Sequence, residues 1–215
     1  MILAAGRGER LRPLTDECPK ALLRVGDKTL IETNLERLAR AGIRRVVVNL
    51  DWLGEHIVEA IGEGRRYGLQ VIYSPEYGEV LETGGGIVRA LPLLGSSPFW
   101  VVNADVWSGY APRAPVLADD ILGHLVLVPT PSWRGRGDFD LEGRRVLRSE
   151  RPALTFSGIA LYRPELFADA PAGRHPLAPL LFAAAARGQL SGELYRGRWE
   201  DVGTPERLAR VRRAP

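Results

Sequence analysis

The stretch Met1–Leu23, MILAAGRGERLRPLTDECPKALL, sets the frame for reading the rest of the chain. Met1 to Ala4 is a short apolar run that reads as a strand, and glycines and arginines follow at once. Gly6 and Gly8 let the backbone approach a ligand closely, with N–H groups turned toward anionic oxygens. Arg7, Arg10 and Arg12 add positive charge, and Lys20 follows Pro19. In an open parallel sheet, ligands bind beyond the carboxyl ends of the strands, where Ala5 to Leu14 would lie. Two readings stand for this loop: a socket for phosphates, or a solvated basic turn. The spacing is not that of a P-loop, and Leu11 stands where the dinucleotide fingerprint needs its third glycine.

Working outward, the chain alternates strand and helix. TLIETNLERLARA (Thr29 to Ala41) has helical apolar spacing, with Gly42 as a stop. RVVVNL (Arg45 to Leu50) reads as a buried parallel strand. A helix is expected over Gly54 to Gly64, a strand over Leu69 to Tyr73, and a helix from Gly85 to Leu94 after the glycine run. Strands follow at Phe99 to Val102 and Leu125 to Val128. Gly137 to Leu147 reads as a hairpin turning at Glu142-Gly143, and LTFSGIALY (Leu154 to Tyr162) as a strand. Pro176 to Arg187 reads as a helix, Tyr195 to Val202 as a strand, and Thr204 to Arg213 as a closing helix capped by Thr204. Repeated strand–helix–strand units imply crossovers and a mostly parallel sheet with helices on both faces. The expectation is one domain over residues 1–215, with 1–110 facing the nucleotide and 111–215 adding to the same sheet.

Composition narrows the function. With 45% hydrophobic and 26% charged residues, the 215-residue chain has ordinary globular content. No apolar run approaches the length of a membrane span, and the first residues do not form a signal peptide. The single cysteine, Cys18, excludes a disulfide framework and a thiolate cluster, so a reducing cytoplasm is expected. A net charge of +3 with scattered basic residues argues against nucleic acid as a partner. Of 29 basic residues only Lys20 and Lys28 are lysine, and Asn34, Asn49 and Asn103 are the only asparagines. Where so Arg-biased a chain keeps a Lys or an Asn, the position is a candidate for a specific need. Lys20 reads either as a solvated side chain or as a compact charge facing a phosphate.

Two carboxylates fall at strand ends. Asp105 follows the apolar run before NADVW, and Asp201 precedes a turn in RWEDVGTPE. Each reads as a helix cap or ordinary strand-end aspartate, or the two converge on one Mg²⁺, which prefers one or two carboxylates with phosphate oxygens and water. LETGGG (Leu81 to Gly86) is expected between a strand and a helix, where three glycines are tolerated if a ligand or another backbone must come close. His56, His124 and His175 show no metal spacing and no evident partner. No nucleophile elbow and no base-stacking aromatic motif appears.

Taken together, LAAGRGERLRPLT, Pro19-Lys20, LETGGG, Asp105 and DVGT (Asp201 to Thr204) resemble the sugar-1-phosphate nucleotidylyltransferases, in order and spacing along the whole chain. DWLGEHI, YSPE, LETGGGI, ALPLLG, HLVLV, GRGDF, LTFSGI and LAPLL are most similar to the branch that uridylylates N-acetylmuramic acid 1-phosphate in cell-wall recycling. The resemblance implies an α/β, three-layer nucleotide-diphospho-sugar transferase fold, Rossmann-like, with a mostly parallel mixed sheet. It implies Mg²⁺-dependent joining of an NTP, expected to be UTP, to a sugar 1-phosphate, with release of pyrophosphate. By position, the backbone of Leu3, Ala4, Ala5 and Gly6 would hold the nucleotide. Gly8, Arg10 and Lys20 would face the phosphates, and Glu79 and Gly84 the base. Asp105 and Asp201 would hold magnesium, with Arg10, Lys20 and Asp105 catalytic. Asn103, Gly137, Glu150, Ser157 and Gly158 would line the sugar side. The chain departs from the family in having Ala104-Asp105 for a Gly-Asp pair. It also has Glu150-Arg151 for a Glu-Lys pair, which leaves Arg148 or Arg151 for the sugar phosphate. No β-helix extension follows Asp201, so no second, acyltransferase activity is expected. Glucose and mannose 1-phosphates are alternative substrates, and a non-catalytic nucleotide-sugar sensor is the alternative class.

Overall fold

The computed structural model describes residues 1–113 and 115–213. In chain order the elements are β1 (Ile2–Leu3), β2 (Arg24–Val25), β3 (Lys28–Thr29), α1 (Leu30–Arg40), β4 (Arg45–Leu50), α2 (Gly54–Ile61), β5 (Gln70–Pro75), α3 (Glu82–Leu94) and β6 (Phe99–Asn103). They continue with β7 (Val106–Ser108), β8 (Gly123–Pro129), β9 (Asp140–Glu142), β10 (Arg145–Leu147), β11 (Leu154–Tyr162), α4 (Ala178–Ala186), β12 (Leu190–Leu194), β13 (Trp199–Asp201) and α5 (Pro205–Arg213). Two compact units result, and neither is one continuous segment. The first comprises Met1–Val80, Val102–Arg113 and Arg198–Pro215, and the second Leu81–Val101 and Ala114–Gly197.

The first unit is built on parallel pairing. β1 lies between β4 and the end of β6, with Leu3 beside Asn49 on one side and Asn103 on the other. β4 pairs in parallel with β5 across α2, as five consecutive buried residues, Val46 to Leu50, require of an interior strand. α1 starts where the sequence places it. Thr29 and Glu32 form a reciprocal capping box, in which Thr29 N–H donates to Glu32 Oε2 at 2.9 Å and Glu32 N–H donates to Thr29 Oγ1 at 3.3 Å. The helix buries Leu30, Ile31, Leu35 and Leu38 along one stripe, together with Asn34 and Arg37. An antiparallel ribbon of β7 and β13 sets Asp201 opposite Val106. A core of Leu11, Leu23, Leu30, Val202, Leu208 and Val211 ties the opening loop to α5.

The second unit is mixed. β11 pairs antiparallel with β8, β12 pairs parallel with β8, and the β9–β10 hairpin adds to β12 through β10. The hairpin turns through Gly143 and Arg144, and Gly143 has φ of 58°, the left-handed value that such a tight turn needs. β11 carries a bulge between Phe156 and Ala160, centred on Gly158 with φ of 77°.

Three expectations need correction. Gly84, Gly85 and Gly86 of LETGGG lie inside α3, near its start, and do not precede it. Tyr195 to Val202 is not one strand: within it the strand is Trp199–Asp201, and Leu190–Leu194 forms the preceding strand. The histidines are not all without partners, since His124 Nδ1 lies 2.9 Å from Ser191 Oγ and its Nε2 3.5 Å from Glu193.

Candidate active site

The opening loop is shaped from its own residues. Gly8 has φ of 67°, and a Cβ there would lie 2.9 Å from Thr15 Cγ2 and 3.2 Å from Lys20 Cβ. Gly8 is therefore fixed by backbone conformation and by packing at once. Thr15 Oγ1 donates to Gly8 O at 2.8 Å and Leu11 N–H donates to the same oxygen at 2.8 Å, closing the short 3-10 turn Glu9–Leu11. Leu11 is fully buried, so the residue that breaks the dinucleotide fingerprint is the hydrophobic anchor of the loop. Around Gly6 the opposite holds: no atom lies within 4 Å of where its Cβ would stand. The fold gives no steric reason for glycine at that position. Arg7 is exposed, 5.9 Å above the Trp52 ring and 3.8 Å from Asp51.

Behind the loop lies a buried polar relay. Ala4 N–H donates to Asn49 Oδ1 at 2.7 Å, and Asn49 Nδ2 donates to Glu76 Oε1 at 2.8 Å. The Ala4 N–H is thus committed within the fold. Glu79 is exposed and donates its N–H to Glu76 O at 2.9 Å.

The two strand-end aspartates do come together. Ala104 N–H donates to Leu3 O at 2.9 Å, which sets the Asp105 turn beside the opening strand. Val202 N–H donates to Asp105 O at 3.0 Å, so the β7–β13 ribbon places Asp201 next to Asp105. Lys20 Nζ donates to Asp105 Oδ2. Arg207 Nη1 donates to Asp201 Oδ2 at 3.1 Å. The second oxygen of Asp201 is buried without a hydrogen-bond partner among the described residues. Burial pushes the Asp201 carboxyl above its usual range, and the neighbouring Asp105 charge pushes it further the same way. A buried, unsatisfied carboxylate oxygen beside a second carboxylate fits a hard cation with oxygen ligands. Gly203 completes the cluster, because a Cβ there would meet Arg207 Nη2 at 2.6 Å, Arg10 Nη2 at 3.0 Å and Asp201 Oδ1 at 3.1 Å. Arg10, Lys20, Asp105 and Asp201 thus lie together, the grouping that the family resemblance implied.

The residue that sequence reasoning did not place is Asn34. Its Nδ2 donates to Ala104 O at 3.2 Å and Val106 O at 3.3 Å, the carbonyls on either side of Asp105. Arg37 donates in turn to Asn34 Oδ1, and to Ser108 O at 3.3 Å. The asparagine scarcity was the only signal that could have found it.

In the second unit, LETGGG is clasped by its own neighbours. Gly84 and Gly85 N–H both donate to His175 O, at 3.0 and 3.1 Å, and His175 N–H returns a bond to Leu81 O at 3.1 Å. A Cβ on Gly84 would stand 2.5 Å from His175 Cδ2, and one on Gly85 would stand 2.2 Å from Gly173 O. Gly137 is likewise fixed by backbone, its missing Cβ 2.5 Å from Leu154 O and 2.7 Å from Pro152 O. Ser157 is buried and accepts the Ile159 N–H at 3.2 Å across the bulge at Gly158. Glu150 and Arg151 are exposed, while the Arg148 guanidinium lies 3.9 Å over the Phe182 ring.

A family model described as Nucleotidyl transferase matches residues 1–120. An N-acetylmuramate alpha-1-phosphate uridylyltransferase from Neisseria meningitidis is 47% identical over 97% of this chain and 94% of its own length. The chain belongs to the nucleotidyl transferase family. The chain is accordingly a nucleotidyltransferase enzyme. A Caulobacter vibrioides relative of the same description is 35% identical over 96% of this chain and 92% of its own length. A Mycobacterium tuberculosis mannose-1-phosphate guanylyltransferase is 30% identical, with 62% of its length matched. The fold is also that of a solved structure assigned as a glucose-1-phosphate thymidylyltransferase from Bacillus anthracis. The TM-score is 0.83 at 20% identity, with 98% of this chain and 92% of that one covered. The α/β fold with a mixed, mostly parallel sheet is thus the one the sequence implied. No helix among the described residues is long and apolar enough to cross a membrane.

Proposed function

We propose that this nucleotidyltransferase transfers a uridylyl group from UTP to N-acetylmuramic acid 1-phosphate, releasing pyrophosphate, in the cytoplasmic recycling of cell-wall sugars. The observation that carries the reading is the 47% identity, over nearly the whole of both chains, to a relative described by that activity. An oxygen of the sugar phosphate attacks the α-phosphorus in line. One P–O bond forms there while the bond to the β-phosphate bridging oxygen breaks. The nucleophile is already an anion, so no general base is needed, and the barrier lies in anion–anion repulsion and in charge gathering on the pyrophosphate. Positioning and electrostatics therefore do the catalysis.

The roles follow from the cluster. The loop around Gly6 admits the triphosphate. Arg10 and Lys20 stabilise the leaving pyrophosphate. The Lys20 ammonium, paired with Asp105, neutralises that carboxylate and can share its charge with a phosphate. When bound, a magnesium ion held by Asp105 and Asp201 supplies positive charge against the phosphate oxygens. Asn103, Gly137, Ser157 and Gly158 remain the proposed sugar contacts. Of the two candidates for the sugar phosphate, Arg151 is the one proposed, because Arg148 is engaged with Phe182. Arg151→Ala should raise KM for the sugar phosphate more than it lowers kcat.

The test is pyrophosphate release with Mg²⁺ across a grid of UTP, dTTP, GTP, CTP and ATP against N-acetylmuramic acid, N-acetylglucosamine, glucose and mannose 1-phosphates. Release greatest at UTP with the muramic sugar is expected. A maximum at another pair would overturn the substrate assignment and keep the chemistry. Nucleotide-sugar binding with no release at any pair would make the protein a sensor.

A further inference from the structure

The reaction leaves unused a cavity of about 340 Å³ in the first unit, between the last turns of α1 and the segment that follows β7. That volume is at the lower end of small-metabolite pockets. Arg37, Arg40 and Arg113 line it, with Thr33, Ser108 and Tyr110, and no carboxylate lies among the described lining residues. Arg40 also reaches Glu36 on its own helix: its Nη2 lies 3.9 Å from the Glu36 Oε2 that accepts from Lys28 at 2.6 Å, and its Nε donates to Glu36 O at 3.3 Å. The lining mixes these polar side chains with Ala41, Ala111 and Pro112, and three arginines at one concavity gather positive charge that an oxyanion with several acceptor oxygens offsets. A tetrahedral phosphate suits the planar forks best.

One wall of the cavity leads to the catalytic cluster. Arg37 is nearly buried at 6% exposure. It donates to Ser108 O and to Asn34 Oδ1, and Asn34 holds the carbonyls that flank Asp105. We propose that this cavity is an effector site for a small phosphate-bearing anion, whose occupancy changes how Arg37 and Asn34 hold the Asp105 turn. The ligand draws on the Arg37 guanidinium, and the two-residue relay passes the change on. The chain of contacts is continuous and short, the physical form that energetic coupling takes.

Binding is tested by isothermal titration calorimetry with inorganic phosphate and, separately, glucose 6-phosphate. The protein is the Lys20→Ala variant, which weakens phosphate binding at the catalytic cluster. Adding Arg40→Ala and Arg113→Ala should weaken the remaining binding by about 10-fold or more, with an unchanged melting temperature showing an intact fold. Tighter binding of glucose 6-phosphate assigns the site to an organic phosphate, and tighter binding of inorganic phosphate assigns it to the free ion. Absence of binding, or affinity indifferent to the two arginines, overturns the site. This arm does not depend on the substrate reading. The second arm does: the tighter ligand should change kcat for pyrophosphate release in the wild type and leave the Arg40→Ala/Arg113→Ala protein unaffected. An unchanged wild-type kcat overturns the regulatory role. No release at all would count against the proposed reaction and leave the binding arm to decide the site.

Discussion

Two glycine-rich stretches look alike in the sequence and differ in cause. In the opening loop, Gly6 faces open space, with no atom within 4 Å of its missing Cβ. In LETGGG, the missing Cβ of Gly85 would fall 2.2 Å from Gly173 O, and both Gly84 and Gly85 donate their N–H groups to His175 O. One glycine has open space where its Cβ would stand. The other two make room for the chain's own backbone. A glycine run announces a close approach without saying who approaches, and charge tells the two cases apart. Arg7, Arg10, Arg12 and Lys20 follow the first stretch, whereas the second is followed by the apolar IVRALPLLG.

Substitutions can break that comparison or sharpen it. The largest effect is expected in the cluster that the opening loop adjoins. Asp105→Asn should lower kcat by ~100-fold or more, the scale of one preorganised electrostatic element, while thermal melting stays close to wild type. Near-normal turnover would remove Asp105 from the chemistry. Next comes the clasp. Gly85→Ala should destabilise the fold by about 3 kcal/mol, because the methyl meets a backbone oxygen that cannot swing away. Chemical denaturation reads this directly, and a neutral result would mean the 173–175 segment yields easily. Asn34→Ala strips the carbonyls beside Asp105 of a buried donor and should cost about 2 kcal/mol of stability. If Asn34 positions the turn, the same variant loses kcat with little change in KM for the nucleotide. A stability loss with unaltered kcat would reduce it to a structural residue. The smallest stability effect belongs to Gly6→Ala, within about 0.5 kcal/mol of wild type, yet its KM for the nucleotide should rise. Equal loss of stability in Gly6→Ala and Gly85→Ala would erase the distinction between the two stretches.

Much of this was legible from the chain, for identifiable reasons. β4 and β11 have the bounds the sequence suggested, because both are rich in β-branched, aromatic and aliphatic residues at strand length. α1 was legible from its apolar period and its Gly42 stop. The two-residue strands β2 and β3 and the three-residue β7 are too short to show a period, so they stayed hidden. Tyr195 to Val202 looked like one strand because aromatic and β-branched residues flank Arg196, Gly197 and Arg198, where the pairing is interrupted. The aspartates were placed correctly at strand ends. What brings them together, the β7–β13 ribbon, lies in backbone pairing between distant segments that no local pattern reveals.

Scarcity of residue types proved an uneven guide. Asn34 and Asn49 are both buried and both hydrogen-bonded to backbone that shapes the site. Lys20 is paired with Asp105. Lys28, retained just as selectively, forms an ordinary ion pair with Glu36 at 2.6 Å. A rare residue marks a place to look, and burial with a specific partner decides whether it matters.

The most direct test of the account is amide hydrogen exchange, followed with and without UTP and Mg²⁺. Amides of Gly84 and Gly85 should exchange slowly before any ligand is added, since they are already bonded within the fold. Amides of residues 5–10 should slow only when the nucleotide is present. Ligand-independent exchange across residues 5–10 would contradict the claim that MILAAGRGERLRPL is the phosphate socket of this enzyme.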